Sequence, residues 1–225
     1  MFNSLNHVGV VAAHPDDELL GMGGTLKRLT AKNAKVAVLF LSSGVGARAV
    51  VRESPESRRA AATEALMTLG ISDITFANFP DNKFGTVPKL SIIKCVEDFL
   101  QAKASISVFT NSSRDLNEDH RITAEATLVA CRPTPASKVE SLYHFETLSS
   151  SEWNFGTGPF QPNVFVNIEE SFSTKVLALQ KYVSELEQFP HPRSIVAVEA
   201  LASLRGSQVG FQKAEAFELG FHKDR

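Results

Sequence analysis

The first half of the chain alternates short, nearly unbroken apolar runs with stretches of helical spacing. That alternation restricts the fold more than any other feature. HVGVVAA (7–13), VAVLFLS (36–42), ITFANF (74–79, ended by Pro80) and SVFT (107–110) read as strands. A run that is apolar at successive positions, rather than at alternate ones, suits a strand covered on both faces, as in a parallel sheet between helices. Between the runs, residues 17–31 place Leu19, Leu20, Leu26 and Leu29 on one face, and residues 58–69 are alanine-rich and stop at Gly70. Residues 88–103 begin with a proline, which a first turn tolerates, and carry Ile92, Val96 and Phe99 at helical spacing. Residues 119–131 form a further helix that stops before Arg132-Pro133-Thr134-Pro135. Strand–helix alternation of this kind closes into right-handed βαβ units. The expected fold class is therefore α/β, a three-layer α/β/α Rossmann-like sandwich with a mostly parallel sheet.

The second half is less regular. SLYHFET and NVFVNI have strand character, residues 169–188 read as one helix stopped by Phe189-Pro190-His191-Pro192, and residues 195–204 read as another. The segment 149–162, with the chain's one tryptophan, reads as a structured loop over the sheet edge. With 225 residues and no internal repeat, one domain over 1–225 is expected. The formal net charge of −2 provides no overall field for nucleic acid or an anionic membrane. No stretch reaches the roughly 18 apolar residues of a spanning helix. The start has neither the basic region nor the apolar core of a signal peptide. Cys95 and Cys131 belong to no CxxC, which excludes a zinc ribbon or a thioredoxin-type motif and makes a reduced, cytoplasmic setting the simplest expectation.

The chemistry concentrates in Ala13-His14-Pro15-Asp16-Asp17-Glu18, where the first strand gives way to the first helix. In open α/β sheets this carboxyl edge is where ligands bind. A dinucleotide site would place glycines here. This chain places a histidine and three acids, a set that repels phosphate and suits a divalent cation. The glycines of LGMGG (20–24) come later, inside the helix, and fit close helix–sheet packing better than a nucleotide loop. His14 and Asp17, three apart at a helix start, can converge on one side. Imidazole with carboxylate suits zinc and tolerates iron or manganese. A catalytic zinc site needs three protein ligands and an open position. The best third ligand is His120, in Asp115-Leu116-Asn117-Glu118-Asp119-His120-Arg121 after the fourth strand, provided that the first and fourth strands are neighbours. Such a site carries a formal +1 with zinc and brings bound water towards a pKa of about 7. Asp16, beside the ligands but not one of them, is then the natural general base. Read alone, the same acids would make a solvated helix cap favourable to the dipole.

AHPDDE after a first strand, with DLNxDHR after a later one, resembles the PIG-L/LmbE family of metal-dependent N-acetylglucosaminyl deacetylases. Supporting likeness lies in Arg58, Leu69-Gly70, Phe79-Pro80-Asp81-Asn82, KYVSE (181–185) and the closing RG…AEAF. The resemblance implies His14, Asp17 and His120 as metal ligands, Asp16 as base, and Arg58 and Asp81 as contacts to sugar hydroxyls. Many members have histidine where this chain has Asn117, whose amide can donate to an oxyanion but supplies no proton. Asp16 would then serve as base and afterwards as acid in hydrolysis of an acetamide. Asp119 is expected behind a ligand, orienting a histidine. The implied partner is an amino-sugar substrate, free or linked to a small molecule, lipid or polysaccharide, and a homo-oligomer is compatible with the sequence. Other classes on the same scaffold are a metallohydrolase of another substrate, such as a phosphoesterase, or a sugar- or nucleotide-binding module without chemistry.

Other residues divide by position. Arg48, after the second strand, is at the ligand edge and is either a surface arginine or an anion contact. Arg58 opens a helix, where the dipole disfavours cations, and so points to a functional or ion-pair role. His191, bracketed by prolines, marks either a turn alone or, side by side with Arg193, a contact to a substrate hydroxyl or phosphate. His7 sits at the wrong end of its strand, His144 reads as structural and His222 as exposed. Tyr182 and Glu185 face either the pocket or solvent.

Overall fold

The computed structural model describes residues 5–46, 53–156 and 158–224. In chain order the elements are β1 (His7–Ala12), α1 (Asp17–Ala31), β2 (Lys35–Ser42), α2 (Pro55–Thr68), β3 (Asp73–Phe79), α3 (Lys89–Ala102), β4 (Ser107–Asn111), α4 (Glu118–Ala130), β5 (Ser141–Phe145), β6 (Val164–Asn167), α5 (Phe172–Leu179), α6 (Ile195–Ser207) and β7 (Ala214–His222). One seven-stranded sheet has the order β3-β2-β1-β4-β5-β7-β6. Its first five strands are parallel, and β7 runs antiparallel to both β5 and β6. The fold is the expected α/β sandwich with a mostly parallel sheet.

The apolar runs of β1, β2 and β4 have the meaning the sequence assigned them, while β3, at the sheet edge, is only half-buried. In β1, Val8, Val10 and Ala12 face a core shared with α1, α2, α5 and α6, through residues such as Leu26, Leu66, Leu179 and Val198. Val11 and Ala13 face the opposite core, which contains Ile92, Val96 and Phe99 of α3 and Ala126 of α4. From Val8 to Ala12 the strand is thus buried whichever way a side chain points. β1 pairs with β2 on one side and β4 on the other. The chain therefore reverses its direction of travel across the sheet between β1 and β4, and a crevice opens at their carboxyl ends.

α1 carries its predicted inner leucines, but it breaks at Met22 (φ −147°, ψ 19°). Its glycines are spaces for neighbours. A Cβ on Gly21 would lie 2.4 Å from the Phe145 ring, and one on Gly24 would lie 2.8 Å from Ile168. The glycines therefore serve helix packing, as their place within the helix implied.

Three departures from the sequence reading bear on the site. The helix expected over 169–188 is α5 alone. After Leu179 the amides of Lys181, Tyr182 and Glu185 bond three residues back rather than four, which makes tight turns that swing Tyr182 and Glu185 inwards. β7 does not read as a strand in the sequence, because the buried Glu215 interrupts its apolar pattern. The 149–156 stretch folds over the 114–115 turn rather than simply across the sheet edge: Asn154 Nδ2 donates to the Arg114 carbonyl at 2.6 Å, and Ser151 Oγ to Asp115 Oδ2 at 2.6 Å. Among the described residues no helix is long and apolar enough to cross a membrane.

Candidate active site

β1 delivers the chain into the crevice at His14, and the first turn of α1 begins immediately beyond. Asp16 has φ 112°, in the region that favours glycine. Such a backbone costs on the order of 1–3 kcal/mol and persists only where its surroundings hold it. Here the Asp16 carbonyl accepts from the amides of Leu19 and Leu20, and its own N–H donates to Glu18 Oε2 at 3.0 Å. Tyr182 Oη donates to the other oxygen of Glu18 at 2.8 Å. Asp16, Asp17 and Glu18 are only 2, 0 and 0% exposed, and the Asp16 side chain makes no cap bond. A solvated helix cap therefore does not describe this turn.

β4 delivers His120 through the facing loop. His14 Nδ1 lies 3.2 Å from His120 Nε2, and His120 Nε2 lies 3.3 Å from Asp17 Oδ1. Asp17 is oriented through its other oxygen, which accepts from the His14 amide at 3.0 Å and from Asn111 Nδ2 at 3.1 Å. Asn111 also receives the Ala13 amide at 3.0 Å, so it ties the ends of β1 and β4 together. Asp17 Oδ1 is buried and, among the described residues, has no hydrogen-bond partner. Ligand atoms about 2.0–2.1 Å from a tetrahedral zinc lie about 3.3 Å from one another. Two nitrogens and an orphaned carboxylate oxygen at these separations fit a divalent cation, and His14, Asp17 and His120 form one of two metal-competent groups among the described residues.

Each imidazole has a carboxylate behind it. His14 Nε2 is 3.2 Å from Asp119 Oδ2 and 3.1 Å from Asp81 Oδ1. His120 Nδ1 is 3.3 Å from Asp115 Oδ2. This arrangement fixes the ring nitrogen that faces the ligand position. Burial lowers both histidines' pKa values, but the acids override it and push His14 up to about 9 and His120 up to about 10. Burial likewise works to raise Asp17, yet the adjacent His120 and His14 hold it well below the usual carboxylate range. The pocket draws positive charge. The second group, His14 with Asp81 and Asp119, does not make a second centre. Asp119 already accepts the amides of Asn82 and Phe84, and Asp81 that of Gly46.

Beside the donors lies a cavity of about 170 Å³, walled by His14, Asp16, Arg58, Asp81, Asn117 and Arg193 among others. Arg58 is buried and fixed: Nη1 donates to the Pro15 carbonyl at 3.2 Å, Nε to Glu53 and Nη2 to Glu185. The cation at the helix start is thus paired within the cavity wall. Asn117 caps α4, its Oδ1 accepting the Asp119 amide at 2.8 Å and its Nδ2 donating to Asn82 Oδ1 at 3.2 Å. His191 does not line the cavity. Its Nδ1 accepts the Arg193 amide, and its ring meets Trp153 edge-on. Arg48 lies outside the described residues. His144, bonded to the Asn111 carbonyl, and His7, at the opposite end of β1, stand away from the crevice.

Several residues here have roles other than those the sequence suggested. Arg193 Nη1 donates to Asp16 Oδ2 at 2.8 Å and also to Glu185, while its Nε holds Ser149. Burial raises the Asp16 carboxyl above the ordinary aspartate range, against the pull of Arg193. Burial also pushes Glu18 up to about 8. Asp115 is held by the hydroxyls of Ser150 and Ser151. Asp115→Ala is expected to weaken metal binding about 10- to 100-fold, the usual effect of losing a carboxylate behind a ligand histidine. Competition with a chromophoric chelator measures this, and an affinity within twofold of wild type contradicts the assignment.

Residues 9–131 match the family model described as PIG-L: GlcNAc-PI de-N-acetylase. The chain is 30% identical over 189 residues to the uncharacterized deacetylase YaiS of Escherichia coli (strain K12), covering 81% of this chain and 93% of that protein. It is also 30% identical over 190 residues to a Bacillus anthracis protein named probable N-acetyl-alpha-D-glucosaminyl L-malate deacetylase 2, covering 80% and 81% of the two chains. The crystal structure of the conserved protein TT1542 from Thermus thermophilus superposes with a TM-score of 0.80 at 26% identity, covering 98% of this chain and 97% of that one.

Proposed function

The chain belongs to the PIG-L (GlcNAc-PI de-N-acetylase) family, and from that premise we propose that it is a metal-dependent N-deacetylase acting on an N-acetylated amino sugar of the N-acetylglucosamine type. The observation that carries this reading is the convergence of His14 Nδ1, Asp17 Oδ1 and His120 Nε2 beside the buried carboxylate of Asp16. We assign zinc as the metal, with iron or manganese as chemically acceptable substitutes. When bound, such an ion polarises the acetamide carbonyl and acidifies water at the site.

Asp16 then acts as general base. Its burial raises the carboxyl's proton affinity, and its strained backbone aims the side chain at the cavity instead of at the helix amides. It takes a proton from the attacking water as the water oxygen bonds to the carbonyl carbon. It returns that proton to the amide nitrogen as the C–N bond breaks, releasing acetate and a free amine. Arg193 holds Asp16 in place and Glu185 holds Arg193. The Asn117 amide, at the cavity wall, is assigned to the developing oxyanion once it leaves Asn82. Asp119 and Asp81 keep His14 oriented. Arg58 and Asp81 border the space left for sugar hydroxyls.

The test is acetate and amine release from a panel of N-acetylglucosamine, a chitooligosaccharide, a nucleotide sugar and an N-acetylglucosaminyl malate, with zinc and with iron. Stoichiometric acetate and amine from at least one member is the expected result. Metal-loaded protein that releases acetate from none of them overturns the reading.

A further inference from the structure

Where α1 breaks at Met22, a buried ion pair from elsewhere in the fold enters the break. In a regular helix the Gly24 amide bonds to the Leu20 carbonyl and the Thr25 amide to the Gly21 carbonyl. Here the Gly24 amide donates to Glu215 Oε1 at 2.9 Å, and the Thr25 amide to Glu215 Oε2 at 2.6 Å. From the other side Lys175 Nζ donates to the Leu20 carbonyl at 2.9 Å. Lys175 Nζ and Glu215 Oε1 are themselves 2.7 Å apart, and both side chains are nearly inaccessible to solvent. The positive group meets the carboxyl end of the first helical segment and the negative group meets the amide end of the second, which is the sense the two local dipoles favour. Gly23 makes the insertion possible, since a Cβ there would lie 3.0 Å from Lys175 Cγ.

Neither residue belongs to the crevice. Lys175 lies in α5 and Glu215 in β7, yet both bear on the helix whose first turn bears Asp17 and follows Asp16. We propose that the Lys175–Glu215 pair is a positioning device for the active site, splicing the two segments of α1 at a set angle and so fixing where Asp16 and Asp17 stand against His120. This proposal rests on the reading of Asp16 as base and Asp17 as ligand. The lever is short and stiff. Asp16 stands six positions before Met22, about 9 Å of helix, so a tilt of about 10° at the break moves Asp16 by about 1.5 Å. Catalytic groups must be held to within about 0.5 Å. A simple pair of buried charges would need no such placement on three main-chain groups.

Three variants separate positioning from the plain burden of an unpaired buried charge: Lys175→Met, Glu215→Gln, and the double variant carrying both. Lys175→Met alone strands a buried carboxylate, and breaking such a pair is strongly destabilising. The double variant strands no charge, so its melting temperature is expected to lie well above that of Lys175→Met but below wild type, because the Leu20 carbonyl and one of the two amides lose their partners. If the pair positions the first turn, the double variant still loses about 10- to 100-fold in kcat with KM within about twofold. Its amides over 17–22 exchange hydrogen about tenfold faster, while those over 26–31, which Glu215 does not touch, are unchanged. The visible spectrum of cobalt bound in place of zinc shifts as well. Lys175→Arg, which keeps the cation, is expected to restore part of kcat. A double variant that regains stability together with wild-type exchange, cobalt spectrum and kcat overturns the proposal. If the double variant does not fold, Glu215→Gln, which keeps the shape and one acceptor but strands the Lys175 charge, is read by its exchange and cobalt spectrum alone, and wild-type values for both overturn the proposal. The exchange and cobalt readings stand without turnover, so they decide this inference even if no acetylated sugar proves to be a substrate.

Discussion

Asp16→Asn is expected to lower kcat by about 10²- to 10⁴-fold, the usual contribution of a positioned acid–base group, while leaving metal content and fold as they are. Asparagine is the informative replacement for two physical reasons. It tolerates positive φ better than alanine, and the backbone here is at 112°. It also keeps the volume and an oxygen acceptor for Arg193, which retains Glu185 as a charge partner. The substitution therefore removes the basic oxygen and little else. Alanine would mix lost chemistry with strain at the turn and with a half-paired arginine in a buried place. The measurement is kcat on whichever acetylated sugar is turned over, together with metal per chain and melting temperature. Turnover within tenfold of wild type at full metal content would mean that another group takes the proton, and Glu18 would be the next candidate.

The parts of this site that the sequence exposed are those set by local spacing and one topological rule. His14, Asp16 and Asp17 are nearly contiguous, and a strand end followed by a helix start is enough to put them at the ligand edge. His120 needed only that β1 and β4 be neighbours, which the order of strand and helix made the simplest arrangement. The residues behind them were hidden because their roles exist only across the fold. Asp115 becomes a partner of His120 through a loop of serines 35 and 36 positions away. In the Phe189-Pro190-His191-Pro192 turn the imidazole draws attention, but Arg193 has the reach to meet Asp16, and the ring packs on Trp153 instead. Glu18, Tyr182, Lys175 and Glu215 are polar residues at positions an apolar pattern would assign to core. Each is explained by a buried main-chain group or by another such residue that it satisfies, and sequence periodicity does not report such needs. For the same reason the helix expected over 169–188 stops at Leu179: the bonds of Tyr182 and Glu185 to Glu18 and Arg58 require tighter turns than a helix allows.

Removing the metal and removing a ligand are expected to differ, and the difference tests the site as a whole. Chelation of the wild-type protein should abolish turnover, with restoration when zinc is returned, but should leave the fold standing. The acids around the centre hold both imidazoles' pKa values high, about 9 for His14 and about 10 for His120, so protons replace the lost positive charge at neutral pH. His120→Ala removes that compensation. Asp115 then stays buried without the imidazole that faces it at 3.3 Å, and Asp17 is left with His14 alone. Breaking a buried pair of this kind costs about 3–5 kcal/mol, because one charge is left without its partner. The variant should therefore lose turnover, lose metal affinity by more than the roughly 10- to 100-fold expected of an outer carboxylate, and melt well below the metal-free wild type. Metal analysis, a chelator competition and a pair of melting curves measure all three. A His120→Ala protein that melts with the metal-free wild type would mean that His120 does not neutralise Asp17 and Asp115. One that retains a metal ion at wild-type affinity would move the centre away from the β1–β4 crevice.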